Sequence, residues 1–303
     1  MTASLKKVKA SMMNAIHDLP LLVARDEGFF RDEGLDVEII KTPGSGQRDS
    51  DHQALRANVF DRAMEALYEQ SACDQFRMCE WGVMKRAVES NVTPGHRPAK
   101  IVALGSAMST FAIVADPKSG IYEPEQLKDK PIGVSPFNGS HFTTLKLLEG
   151  FLKREQIKTA FAGTMKERID ALTRGEVAAV SLMEPWISVA EKRGLRVLME
   201  SHSTRSEAAG DELDGPTLAK MFRAEAAAAK AIDRNPERYA RYLIDEAAGL
   251  LELQDLKLSR VLNAAPEPYT RERFEHTYQW TLSWGLVEPG ATYENTVDNR
   301  AWR

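Results

Sequence analysis

Apolar and polar positions alternate along this chain with two different periods, one following the other. Val8–Met13 is a short apolar run closed by Asn14, which predicts a strand and the loop after it. From Pro20 to Phe30 the residues Leu21, Leu22, Ala24, Phe29 and Phe30 fall at helical spacing, with Pro20 in the first turn and Gly28 and Gly34 bracketing the close. Leu35, Val37 and Ile39 then alternate against Asp36 and Glu38, a strand of period two. Thr42–Ser50 is glycine-rich and polar, hence a loop, and Phe60–Gln70 returns to helical spacing. The same reading gives strands at Arg77–Trp81, Ile101–Leu104, Thr110–Ala115, Ile132–Ser135, Val177–Met183 and Leu195–Met199. Helices are predicted at Gly82–Val88, Gly139–Leu152, Lys166–Thr173 and Trp186–Lys192. From Thr217 the chain is mostly helical, broken at Asn235–Pro236 and Ala265–Pro268. Strands alternating with helices imply an α/β architecture with parallel sheet.

Composition narrows the function. The 303 residues suggest two domains or lobes, since a domain is roughly 150 residues. Lys and Arg number 40 against 44 Asp and Glu, a net charge of −4 that argues against a nucleic-acid binder by bulk charge. No stretch reaches the roughly 18–20 apolar residues of a membrane span. The two cysteines, Cys73 and Cys79, are too few for a disulfide framework or a structural zinc site. His52, His96, His202 and His276 lie far apart and form no metal spacing, so no cofactor is expected, although a metal gathered from distant cleft residues stays open. The P-loop and dinucleotide fingerprints are both absent. Leu5–Lys6–Lys7–Val8–Lys9–Ala10 reads as a lysine-entered strand where a secretory h-region would stand, so a cytoplasmic location is expected, with a periplasmic one if a signal has been removed.

Two stretches near the start carry a resemblance. Leu19–Pro20–Leu21–Leu22–Val23–Ala24–Arg25–Asp26–Glu27–Gly28–Phe29–Phe30 is followed by Glu33–Gly34–Leu35–Asp36–Val37–Glu38. Together they resemble the solute-binding proteins of sulfonate, taurine and nitrate ABC transporters and the related thiamin-pyrimidine synthases. Glu125–Val134, Gly139–Ser140–His141 and Glu184–Pro185–Trp186 extend the likeness over most of residues 5–200. The resemblance implies a two-lobed periplasmic-binding-protein-like (type 2) fold with its ligand in the cleft. Residues 1–108 and 200–303 would build one lobe and 109–199 the other. Phe76–Met84 is similar to a segment of the dihydroxyphthalate decarboxylases, cytoplasmic enzymes of the same fold with an acid at the matching strand end. The sulfinate desulfinases use a cysteine after the first strand, where this chain has Asn14 to Asp18. That departure speaks against a desulfinase, and the cysteine cluster of the thiamin-pyrimidine synthases is also missing, so the latter activity is set aside.

Candidate site residues follow from strand ends and helix starts. Asn138, Gly139 and Ser140 open a helix whose free N–H groups favour an anion, and His141 adds a proton or a charge. Against this, Ser140 could simply cap the helix. Asn14 and His17 stand after the first strand at the cleft edge, with His17 an acid, base or anion donor. Glu80 reads as a general acid or base, or else as the ion-pair partner of Arg77 or Lys85. Trp81 and Trp186 would sandwich a planar ligand, or else pack in the core. Glu184 would hold a hydroxyl or amine or cap its helix, and Cys79 is a nucleophile or an inert buried thiol. Ser109, with Ser106 and Thr110, could supply hydroxyls. Trp280, Trp284 and Trp302 would pack the tail onto the first lobe.

Two functions remain. One is a cytoplasmic lyase, a decarboxylase or similar, acting on a small aromatic or planar organic acid of aromatic compound catabolism. In it Ser140 and His141 capture the anion and Glu80 or His17 moves the proton. The other is a solute-binding protein delivering a small sulfonate-, nitrate- or carboxylate-like anion to an ABC permease.

Overall fold

The computed structural model describes residues 4–42, 58–61 and 63–303. Most of the loop expected at Thr42–Ser50, together with His52, lies outside them.

One mixed sheet organises the molecule. Its strands are β1 (Lys6–Met12), β2 (Leu35–Lys41), β3 (Gln75–Cys79), β4 (Lys100–Ala115), β5 (Pro131–Val134), β6 (Lys158–Phe161), β7 (Ala179–Met183), β8 (Arg196–Ala209) and β9 (Val261–Asn263). They run in the order β2-β1-β3-β8-β4-β7-β5-β6, with β9 paired to β4. The pairs β1/β2 and β1/β3 at one end, and β5/β6 and β5/β7 at the other, are parallel. The long strands β4 and β8 are antiparallel to each other and join the two parallel blocks. The α/β architecture expected from the alternation is therefore present.

The helices are α1 (Ala15–Asp26), α2 (Phe29–Asp32), α3 (Ala63–Glu69), α4 (Glu80–Val92), α5 (Gly139–Leu148), α6 (Met165–Thr173) and α7 (Trp186–Lys192). The tail adds α8 (Gly215–Arg234), α9 (Pro236–Tyr239), α10 (Arg241–Glu246), α11 (Arg271–Ser283) and α12 (Tyr293–Thr296). Asn14 caps α1 six residues before Pro20, earlier than the proline suggested. Asp18 leaves helical geometry (φ −125°, ψ 17°), and this kink accommodates a proline that has no N–H to give to the preceding turn.

Three strand expectations change. Ile101–Leu104 and Thr110–Ala115 are one strand, β4, because Gly105–Ser109 continue it across a register shift. The strand expected at Leu195–Met199 runs on through Ala209, although Ser201–Glu207 carries no apolar alternation. Within that run Arg205 and Glu207 are buried because they meet charged partners, described below. The edge strand β6 and the short β9 gave no period-two signal. The tail packs on the first stretch of chain through Trp280, 5.6 Å ring to ring from Trp81, and on other segments as well. The indole N–H groups of Trp280 and Trp284 donate to Glu149 at the end of α5 (2.8 and 3.0 Å), outside the first stretch of chain, while Trp302 stacks on Phe222.

Candidate functional site

The start of α1 is saturated by its own neighbours. Asn14 Oδ1 accepts from the backbone N–H of His17 (3.1 Å), and Asp18 Oδ2 accepts from Met13 and Asn14 (2.8 and 3.3 Å). Glu246, at the end of α10, takes the Ala15 N–H (2.6 Å). Burial raises the Glu246 carboxyl to about 7, partly offset by that hydrogen bond and reinforced by Asp18. Asn14 Nδ2 reaches Met183 Sδ at the end of β7 (3.8 Å).

The start of α5 meets the end of β3. Asn138 caps this helix, taking the Ser140 N–H (3.1 Å), and Ser140 Oγ donates to Asn138 Oδ1 (2.8 Å) while accepting from Ser135 N (3.0 Å). The cap is thus Asn138 rather than Ser140, and the Ser140 hydroxyl is already engaged. His141 Nδ1 accepts from Phe137 N (3.1 Å). Gly139 sits so close that a Cβ there would lie 2.7 Å from Phe111 Cζ and 3.6 Å from Cys79 Cβ. Phe111 in turn is 6.2 Å, ring to ring, from His17.

At this junction several buried polar atoms have no hydrogen-bond partner among the described residues. They include both ring nitrogens of His17, Nε and Nη1 of Arg205, and the hydroxyls of Ser109 and Ser203. Alternation along β8 puts Ser203, Arg205 and Glu207 on one face. Ser109 of β4 is the cross-strand partner of Ser203, and Cys79 of β3 that of Arg205. Burial, followed by the Arg205 charge, holds the His17 imidazole well below its usual range, so it is neutral at pH 7 and offers one donor and one acceptor. Leaving such donors dry is costly, and groups of this kind mark sites completed by something else. Ser106 and Thr110 are different: Ser106 donates to Glu225 (2.7 Å) and Thr110 to the Arg260 carbonyl (3.1 Å). Arg205, absent from the sequence-level candidates, sits in a run with no apolar pattern to announce it.

Behind Arg205 lies a buried charge cluster. Its Nη2 donates to Asp18 Oδ1 (3.2 Å) and to the Arg77 carbonyl (2.9 Å). Arg77 pairs with Glu225 (2.8 Å), Glu207 (3.1 Å) and, at 3.8 Å, Asp18.

Other candidates are placed elsewhere. Glu80 accepts from Tyr269 (2.6 Å), Thr277 (2.7 Å) and both Nε and Nη2 of Arg273 (2.9 and 2.7 Å), so the start of α4 is tied to the tail. The partners proposed for it from sequence are taken: Arg77 by the charge cluster and Lys85 by Glu89 (3.0 Å). Trp81 packs with Phe142 and Trp280 (6.1 and 5.6 Å), whereas Trp186 belongs to a different cluster with residues of α1 and β7. The two indoles therefore do not form a sandwich in this structure. Glu184 is fully buried, accepting from Ser188 N (3.2 Å) and Arg260 Nη1 (3.1 Å), and burial raises its carboxyl above the usual range. Cys79 is buried at the junction.

Comparison with known proteins bears on the fold. Residues 16–60 match the family model described as NMT1/THI5 like. No curated protein matches the chain by sequence. Among solved structures, the alkanesulfonate-binding protein SsuA from Xanthomonas axonopodis pv. citri bound to MOPS is similar at 15% identity, covering 95% of this chain and 96% of its own, with a TM-score of 0.70. The periplasmic nitrate-binding protein NrtA from Synechocystis PCC 6803 is similar at 14% identity, covering 99% and 88%, with a TM-score of 0.70. The desulfurization enzyme DszB is similar at 14% identity, covering 98% and 97%, with a TM-score of 0.61. Identities this low establish architecture, and binding proteins and an enzyme share it. The resemblance read from the leading residues thus agrees with the structure: this chain has the periplasmic-binding-protein fold, with an NMT1/THI5-like stretch in its first part.

Proposed function

We propose that the protein is a solute-binding protein that closes on a small oxyanion, sulfonate-, nitrate- or carboxylate-like, and delivers it to an ABC permease. The observation that carries this reading is the set of buried polar atoms of Arg205, His17, Ser109 and Ser203 that no described residue pairs. A charged N–H of Arg205 meets one oxygen of such an anion, the hydroxyls meet others, and neutral His17 adds one N–H. Gly139 lets the start of α5 pack on Phe111 within residues 109–199, which brings that helix start up to Cys79 on the other side and would exclude water from the bound anion. The residues 1–108 and 200–303 on one side, and 109–199 on the other, are the lobes we assign to that closure. Such a role implies a periplasmic location in place of the cytoplasmic one expected from the leading residues.

The lyase reading has weaker support. Its proton donor Glu80 is engaged by three residues of the tail, and its two stacking indoles lie in separate clusters. Titration calorimetry with nitrate, ethanesulfonate, taurine and benzoate, with mass spectrometry of each mixture, separates the two. Saturable binding with every probe recovered intact supports the binding protein. Conversion of any probe to a product overturns it in favour of an enzyme.

A further inference from the structure

The charge cluster behind Arg205 is not balanced. Asp18 of α1, Glu207 of β8 and Glu225 of α8 face Arg77 of β3 and Arg205 of β8, all nearly inaccessible to water, so three carboxylates stand against two guanidiniums. The remaining facing groups are uncharged: Gln75 of β3, Ser106 of β4 and the neutral His17. Glu246 of α10 adds a further acid on the far side of Asp18.

The three carboxylates are not equally compensated. Asp18 takes two backbone N–H groups besides its arginines. Glu225 takes Nη1 and Nη2 of Arg77 and the Ser106 hydroxyl. Glu207 has Gln75 Nε2 (2.6 Å) and Arg77 Nε (3.1 Å), both at Oε2. Its Oε1 lies where a Cβ on residue 105 would fall, 2.5 Å away, so Gly105 is what makes room for it.

Resting on the proposed function, we infer that the anion binds together with a proton, which Glu207 takes up. Bringing a negative charge to an unpaired N–H of Arg205 enlarges the negative excess of a buried cluster, and the least compensated carboxylate is the one that neutralises. Burial, and beyond it the neighbouring Glu225, already pushes the Glu207 carboxyl well above the usual carboxylate range, so the proton is within reach near neutral pH. The sign follows from linkage. Where Glu207 is ionised in the free protein and protonated in the complex, raising the pH removes a reactant, and the dissociation constant rises by about tenfold per pH unit for one proton.

Nitrate and ethanesulfonate stay ionised throughout, so any proton taken up belongs to the protein. Calorimetry from about pH 6 to about pH 9, repeated in phosphate and in Tris, counts protons from the buffer dependence of the heat. The expected result is uptake approaching one proton per anion and weakening affinity on the alkaline side. Glu207→Gln removes both effects, whereas Glu246→Gln retains them. A carboxyl carbon NMR titration of the unaltered protein, in which the anion raises the Glu207 midpoint, locates the proton even if Glu207→Gln does not fold. Binding that is independent of pH and buffer overturns the inference alone, as does uptake that survives Glu207→Gln or vanishes in Glu246→Gln. If neither anion binds at any pH, the proposed function falls and takes the inference with it.

Discussion

Arg205 keeps two nitrogens unpaired although it is buried, which is tolerable only if something else completes them. Arg205→Lys should keep the charge opposite Asp18 but lose the fixed N–H directions of Nε and Nη1, weakening anion binding by roughly tenfold in calorimetry. Ser109→Ala should behave in the opposite way to most buried substitutions. Its hydroxyl has no partner in the free protein, so stability by urea unfolding should hold or rise by up to about 1 kcal/mol, while affinity falls roughly fivefold to tenfold. His17 and Glu246 make a pH prediction of opposite signs. His17 is depressed below the 6.5 of a free imidazole, so below that pH the unfolded chain binds more protons and stability falls as pH falls. Glu246 is raised from 4.5 to about 7, so between these values the folded chain binds more protons and stability falls as pH rises. In urea unfolding between about pH 4.5 and 6.5, where the raised Glu207 acts in the same direction as Glu246, His17→Asn should therefore steepen the loss of stability with rising pH, and Glu246→Gln should flatten it, each by about 1 kcal/mol per pH unit.

At the scale of elements, the start of α5 matters less as a helix dipole than as a close approach. Asn138 and Ser140 satisfy each other, so the expected anion capture by the Ser140 hydroxyl would require breaking an existing bond. What α5 contributes is Gly139, whose missing side chain lets the helix meet Phe111 and Cys79. Phe111 is buried and cannot step aside cheaply. Gly139→Ala should push the start of α5 off Phe111 and weaken anion binding about tenfold; an unchanged dissociation constant would show that the anion does not depend on this packing. The second half of β8 explains why the site was only partly legible. His17, Asn14 and Ser109 stand beside predicted strands, where site residues are sought. Ser203, Arg205 and Glu207 stand in a polar run that gives no strand signal, yet they occupy the middle of the sheet because Asp18 and Arg77 receive their charges.

At the scale of the whole molecule, Glu80 is a fastener between the start of α4 and the tail. Its four hydrogen bonds from Tyr269, Arg273 and Thr277 join residues far apart in sequence. Glu80→Gln removes the charge that the Arg273 guanidinium faces and should cost about 2 kcal/mol in urea unfolding, with the anion affinity of the folded protein altered less than twofold. A loss of affinity comparable to that of Arg205→Lys would return Glu80 to the site.

The amino-acid sequence by itself determined the α/β class, most strand and helix positions, and the resemblance carried by residues 19–38, because period and capping are local properties. It also brought Asn14, His17, Ser109 and Gly139 into view, since strand ends and helix starts can be read one at a time. Which polar residues are paired and which stay dry was decided only by tertiary structure. Glu80 was committed to a tail about 190 residues away, and Arg205 was left with two unpaired nitrogens, by contacts between elements distant in the chain. No local pattern records a partner that folding supplies from elsewhere, and a buried donor reveals itself only when every neighbour has been placed.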